Sequence, residues 1–217
     1  MTDERQLTSQ GQERKDQLLE HAARLFAERG YADTRILDIC RAAGVAKGLF
    51  YWYFENKEQL FRELAEGIRL RLRRTQGEAI DPTVDPLTQI RQGTEASVRF
   101  MLQHGPFFSL LEAENVQREF GDTLKKGTDV HVSDVSALVR RGIDDGLIRE
   151  DDPVVLARGV VGIVGVYSQF HRTGRIDLPV DELAAFVARF VVHSLAADDH
   201  VALAVLAPLT ASTNISQ

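Results

Sequence analysis

One cysteine, Cys40, stands alone in 217 residues, which excludes an intrachain disulfide and suits a reducing compartment. Long apolar runs are missing too. The richest stretch, Val154 to Tyr167, is short and broken by Arg158, below the ~20 residues a membrane-spanning helix needs. The opening MTDERQLTSQGQERKDQ is polar throughout and has no apolar signal-peptide segment. These absences predict a soluble, cytoplasmic chain with no membrane partner. No stretch alternates polar and apolar residues long enough to predict a sheet. Catalytic patterns are lacking as well: there is no Gly-Lys-Ser/Thr phosphate loop, no HExxH, no G-x-S-x-G and no cysteine pair. The six histidines are scattered, and Asp151-Asp152 and Asp198-Asp199 suit turns and caps. No catalytic residue, no cofactor and no metal site is therefore expected.

What is present begins with charge. The net charge is −6, but its distribution is uneven. Residues 1–75 hold 14 Lys/Arg against 12 Asp/Glu, while residues 76–217 hold 12 against 20. The modest basic excess lies in the N-terminal third, where attraction to phosphate would need it, and the acidic remainder would be repelled by DNA.

The N-terminal third contains TRILDICRAAGVAKGLFYWYFENK, from Thr34 to Lys57. It reads as two short helices joined by a tight turn. With Ile36 as the first position of a helix-turn-helix, the interior positions are Ile39, Ala43, Val45, Phe50 and Tyr53. Cys40 is the small residue where the helices cross, and Gly44 takes the turn, free of a Cβ clash at positive φ. Thr34 suits the N-cap of the first helix, with Asp38 near its positive end. Ala46, Lys47, Gly48, Leu49, Tyr51 and Trp52 are left outward on the second helix, the face a major groove would meet.

The block GYADTRILDICRAAGVAKGLFYWYFENKEQLF resembles the N-terminal signature of the tetracycline-repressor (TetR) family along nearly its whole length. With the helices before and after it, the resemblance covers roughly residues 12–76. Ala46 and Leu49 replace hydroxyl residues of the commonest form, and Trp52 replaces a histidine; all three lie on the groove-facing side. The resemblance implies an all-α protein: an N-terminal three-helix helix-turn-helix domain and a C-terminal helical domain for ligand binding and dimerisation. Lys47, Tyr51 and Lys57 are the expected phosphate contacts. Arg35 and Trp52 are the base-edge candidates, the indole through a thymine methyl. Thr34, Ala46, Gly48 and Leu49 complete the DNA-facing set.

In chain order, residues 1–11 read as a disordered polar leader and 12–57 as the DNA-binding domain. A connecting helix covers 58–76, an effector-binding and dimerisation domain 77–200, and a C-terminal tail 201–217. Leu18, Leu19, Ala22, Leu25 and Phe26 give the first helix its apolar stripe, and Gly30 stops it. Arg69, Arg71, Arg73 and Arg74 on the connecting helix form either a solvated basic face or a further DNA contact. GEAIDPTVDP, with two prolines, marks the boundary to the body.

Two body helices stand out. Val154 to Phe170 is apolar almost all round, with Gly159, Gly162 and Gly165 three residues apart. Val180 to Ala196 carries Leu183, Phe186, Val187, Phe190, Val191 and Leu195 along one face. One small helical body cannot readily bury both. The resemblance implies that this pair forms a four-helix bundle with a second copy, through Gly159, Gly162, Val166, Phe186 and Phe190. A large monomeric core is the alternative. The family also implies an effector cavity, for which Phe100, Met101, His104, Phe107, Phe108, Leu111, Tyr167, Phe170 and His171 are candidates, each equally suited to ordinary core packing. That set suits a hydrophobic or aromatic effector with one or two polar groups.

The function these readings predict is a homodimeric regulator of transcription that represses from a pseudo-palindromic double-stranded operator and is released by a small molecule. The alternative within DNA binding is an activator or architectural binder with no effector; outside it, the alternative is a helical small-molecule-binding or interaction protein whose N-terminal motif is structural.

Overall fold

Several helices begin on a capping side chain. In the computed structural model, which describes residues 8–210, ten helices and no strand occur among the described residues. The chain divides into two compact units. One runs through Ile68 and takes in Pro106–Leu124; the other comprises Arg69–Gly105 and the chain from Lys125 onward.

In the first unit α1 (Ser9–Arg29) is capped by the Thr8 hydroxyl, which accepts from the Gly11 amide, and is stopped by Gly30 at φ 82°. The helix thus reaches three residues into the segment expected to be a disordered leader; residues 1–7 lie outside the described region. α2 (Ile36–Ala42) and α3 (Lys47–Tyr53) follow, joined through Gly44 at φ 65°, a conformation a side chain would strain. α4 (Lys57–Ala79) opens on Asn56, whose carboxamide accepts from the Gln59 amide. The core is aromatic. Phe26, Tyr31, Phe61 and Phe120 pack edge-on and tilted, with centroids 4.3–6.0 Å apart.

Phe120 belongs to α7 (Glu114–Asp144), which follows the short α6 (Gly105–Glu112). The sequence places residues 106–124 in the body; the structure groups them with the N-terminal helices. The reason is Phe120, 2 % exposed, which lies 4.3 Å from the Phe61 ring. α7 runs without a break through Gly121.

The second unit is built on α5 (Pro86–Gln103), which packs against α8 (Pro153–Arg172) and α9 (Val180–Leu195). α5 and α8 open alike: Asp85 and Asp152 cap them through carboxylates and a proline takes the first turn, where its missing N–H costs nothing. By length and composition α8 could cross a membrane, despite the sequence expectation. Its inner face (Leu156, Ala157, Val160, Val164, Ser168) is buried, and Val154, Val155 and Val166 are exposed. The expected tail contains α10 (Asp199–Thr210), which buries Ala202, Val205 and Leu206 beside Leu195 and Ile148; residues 211–217 lie outside the described region.

Candidate nucleic-acid interface

α3 is held by its inner side. Phe50 is fully buried and touches Phe54, while Ile39 and Cys40 of α2 lie beneath it in the core. Burial raises the Cys40 thiol above its ordinary range, so it stays an inert, small, apolar side chain at the helix crossing. Ala43, Val45 and Tyr53 are half-buried.

The opposite side of α3 is open. Ala46, Lys47, Gly48, Tyr51 and Trp52 are exposed and Leu49 is half-buried. Tyr51 and Trp52 each leave about half their surface in water, at 49 % and 51 %, unusual for large aromatic residues in a monomer without a partner. The Lys47 ammonium lies 5.7 Å from the Tyr51 ring, one helical turn away, so charge and aromatic face form one patch. Ala46 is the N-cap and provides no side-chain hydrogen bond, so nothing from its own side chain covers the first amides of α3. Leu37, 45 % exposed on α2, adds an apolar residue the sequence gave no reason to single out.

Three residues sit differently from the sequence expectation. Thr34 is not the N-cap of α2; Arg35 takes that position, and its amide donates to the Asp38 carboxylate at 3.3 Å. Thr34 is buried, and its hydroxyl donates to the Gly30 carbonyl at 2.8 Å, with the Leu25 carbonyl at 3.2 Å. It ties down the end of α1 and its side chain has nothing to offer a phosphate. Lys57 is likewise engaged inside the fold. Its ammonium donates to the carbonyls of Tyr31 (2.8 Å), Thr34 (3.0 Å) and Ala32 (3.4 Å) and lies 4.2 Å over the Tyr31 ring. Burial lowers its pKa, against the opposing pull of Glu58, Glu119 and Asp33. Arg35 itself is exposed.

The nine candidates for an effector cavity divide between the two units. Phe107, Phe108 and Leu111 belong to the first unit and the other six to the second. Phe100 is buried and stacks on His104 at 4.1 Å, whose Nδ1 is 2.9 Å from the Phe100 carbonyl. Met101 packs on the cluster around Val98 and Val164. Phe170 carries the Arg175 guanidinium at 5.8 Å, and His171 Nε2 meets the Leu178 carbonyl. Tyr167 turns outward to Phe186 and Phe190, at 5.6 and 6.2 Å. Phe100 lines an open cleft of about 410 Å³ between α4 and α5, while a second cavity of the same unit is lined by none of the nine.

The expected dimer residues form a surface. Gly159 and Gly162 have open space where a Cβ would stand. Val166, Phe186 and Phe190 are 45 %, 37 % and 46 % exposed. On α8, Val155, Gly159, Gly162 and Val166 recur at helical spacing along one outward strip.

Comparison with known proteins gives the following likenesses. A family model described as bacterial regulatory proteins, tetR family, matches residues 18–64, which hold α2, α3 and most of α1. The HTH-type transcriptional repressor KstR2 of Mycobacterium tuberculosis is 29 % identical over 178 residues, spanning 74 % of this chain and 82 % of the relative. Its solved structure, described as that of a ketosteroid transcriptional regulator, superposes with a TM-score of 0.67 at 24 % identity over 89 % of this chain and 98 % of that one. The fatty acid degradation regulator FadR of Bacillus halodurans shares the fold at a TM-score of 0.74, with 19 % identity over 82 % of this chain and 94 % of that one.

Proposed function

Since the chain belongs to the tetR family of bacterial regulatory proteins and is a DNA-binding regulator of transcription, we propose that it represses as a homodimer from a pseudo-palindromic operator and lets go when a small molecule binds its body. One observation carries this reading: α3 is anchored by Phe50 and presents Lys47, Tyr51 and Trp52 together on its outer side. That is the arrangement of a recognition helix, with cation and phenol for the backbone and indole for base edges. Arg35, at the exposed start of α2, is a second base-edge candidate. Gly48 and the short Ala46 keep the helix surface low where it would approach the groove.

The outward strips of α8 and α9 support dimerisation. Large apolar side chains beside glycines form a patch that a second copy would cover by the same residues. Relatives named for ketosteroid and fatty acid control support an apolar effector. The chain acts where its DNA lies, in the cytoplasm, and we assign it no catalytic role. Release follows from geometry. α4 starts in one unit and ends in the other. Two recognition helices must sit ~34 Å apart, or a multiple of it, to enter successive major grooves. An effector favouring another tilt of α4 would break that spacing without unfolding either unit. Labels on the two α3 helices should report a distance change when effector is added, with the dimer intact; an unchanged distance during release would refute the mechanism.

The test of DNA binding is Lys47→Ala, assayed on the DNA upstream of the protein's own gene. Losing one phosphate contact per protomer should make the plot of log affinity against log salt shallower by about two units per dimer. An unchanged slope would mean that Lys47 faces solvent.

A further inference from the structure

In the second unit the later part of α4 runs beside α7. The Arg69 stem lies where Gly127 has no side chain: a Cβ added there would stand 3.3 Å from the Arg69 Cδ. One turn on, the Arg73 guanidinium meets the Asp134 carboxylate at 2.9 Å and ties the two helices together. The two side chains are 55 % and 40 % exposed, so the tie is weak and readily exchanged for another. α4 is fastened separately to α5, where the Gln76 carboxamide donates to the Ser97 hydroxyl at 2.7 Å. Loss of the Arg73 tie would leave α4 held by α5 and looser against α7.

His131 stands on α7 one turn before Asp134, on the same face of the helix. Both line a cavity of about 70 Å³, with Thr94 on its α5 side, and the void gives the imidazole room to turn toward the carboxylate. The charges facing the ring are Asp134 on its own helix and Arg73 on α4. α5 brings only uncharged groups to this cavity and α8 only valines. Burial and Arg73 hold the His131 pKa below the ordinary histidine range, against the pull of Asp134, so near neutral pH the ring is uncharged. A proton reverses the balance, because an imidazolium repels Arg73 and attracts the carboxylate that Arg73 holds. We propose that His131 is a proton-operated latch on α4: in acid it takes Asp134 from Arg73, and the later part of α4 loosens from α7. The device needs no ligand, so it goes beyond release by an effector. The closed arrangement binds the proton less well than an opened one, in which the ring regains its ordinary value. Closure is therefore fully favoured above the ordinary histidine range and is lost as pH falls from there toward the lower value of the closed form. A loosened α4 takes more tilts, and a smaller fraction of dimers then matches the groove spacing.

Spin labels on Gly77→Cys of α4 and Ala137→Cys of α7 read the latch in the full-length, DNA-free protein. Both positions are exposed, nothing lies within 4 Å of a Cβ added at Gly77, and the buried Cys40 stays in place. Between pH 7.5 and 5.0, where carboxylates stay largely ionised, the distance should lengthen or spread by several ångströms. His131→Gln and His131→Leu, neither of which can carry a charge, should keep the closed distance at both pH values. Asp134→Asn, which removes the tie outright, should show the open distance already at pH 7.5. Operator affinity at constant ionic strength should fall by about threefold or more over the same pH range in the parent, and by less in both His131 variants. The proposal is overturned if the parent distance holds, if either folded His131 variant opens as the parent does, if Asp134→Asn stays closed, or if affinity follows pH equally in the parent and the variants. The distances need no DNA, so they test the latch even if the Lys47→Ala experiment removes the regulator reading.

Discussion

Replacing Lys57 by methionine separates a structural lysine from a DNA contact. A lysine at the first position of α4 is disfavoured by the helix dipole, so something must hold it there. That something is the α1–α2 connection: two carbonyls at 2.8 and 3.0 Å, a third at 3.4 Å, and the Tyr31 ring at 4.2 Å. Methionine keeps the aliphatic stem on Tyr31 and removes the charge and its donors. Charge-assisted hydrogen bonds contribute about 1.5–3 kcal/mol each when buried; allowing for partial exposure and for the desolvation relieved by the substitution, the net loss should be about 2–3 kcal/mol. With a urea dependence of about 2 kcal/mol per molar, the midpoint should fall by about 1 M. Trp52 is the sole tryptophan and belongs to the first unit, so its fluorescence reads that unfolding directly. Binding to operator DNA under native conditions should keep its salt slope. An unmoved midpoint together with a slope shallower by about two units per dimer would refute this placement and return Lys57 to the phosphate backbone.

Gly48→Ala should stabilise α3 by up to ~1 kcal/mol, since nothing lies within 4 Å of the added Cβ, yet weaken operator binding at least tenfold; unchanged affinity would show that Gly48 faces away from the groove. Phe190→Asp should give a protomer that sediments as a monomer and keeps its helical circular dichroism, because Phe190 is 46 % exposed; a variant that remains dimeric would move the interface elsewhere. His131 has a lowered pKa in the folded state, so the unfolded chain takes up its proton first as pH falls; its contribution is fully present above the ordinary histidine value and is lost between that value and the lower folded one. Urea midpoints at pH 7.5 and 5.5 should therefore converge more in His131→Gln than in the parent, and equal pH dependence would argue against the buried, neutral ring.

The helix-turn-helix was legible because its constraints are local. Gly44 must turn, Ile39 and Phe50 must be apolar, and the exposed positions follow from helical period alone. The roles of Thr34 and Lys57 were not legible, because Thr34 depends on carbonyls at the end of α1 and Lys57 on carbonyls of the α1–α2 connection, more than twenty residues away in sequence. The joining of residues 106–124 to the N-terminal helices was hidden for the same reason: Phe120 looks like any apolar helix residue until Phe61 and Tyr31 are beside it. The cavity left a faint trace. Ile90, Thr94 and Val98 follow one another at four-residue steps on α5, so a hydroxyl sits in an apolar stripe. Attention to aromatic residues passed over it.

The aromatic cluster also bears on how portable the DNA-binding part is. A protein engineer grafting the reading head onto another body would naturally cut within α4, before the prolines. That cut would leave Phe61 and Tyr31 without Phe120, and a fully buried ring face would meet water. The severed piece should be sticky and poorly soluble. A transplant that carries Pro106–Leu124 along, joined to the end of α4 by a short linker, brings its own lid. In this chain the smallest transferable head is made of two separate stretches of sequence.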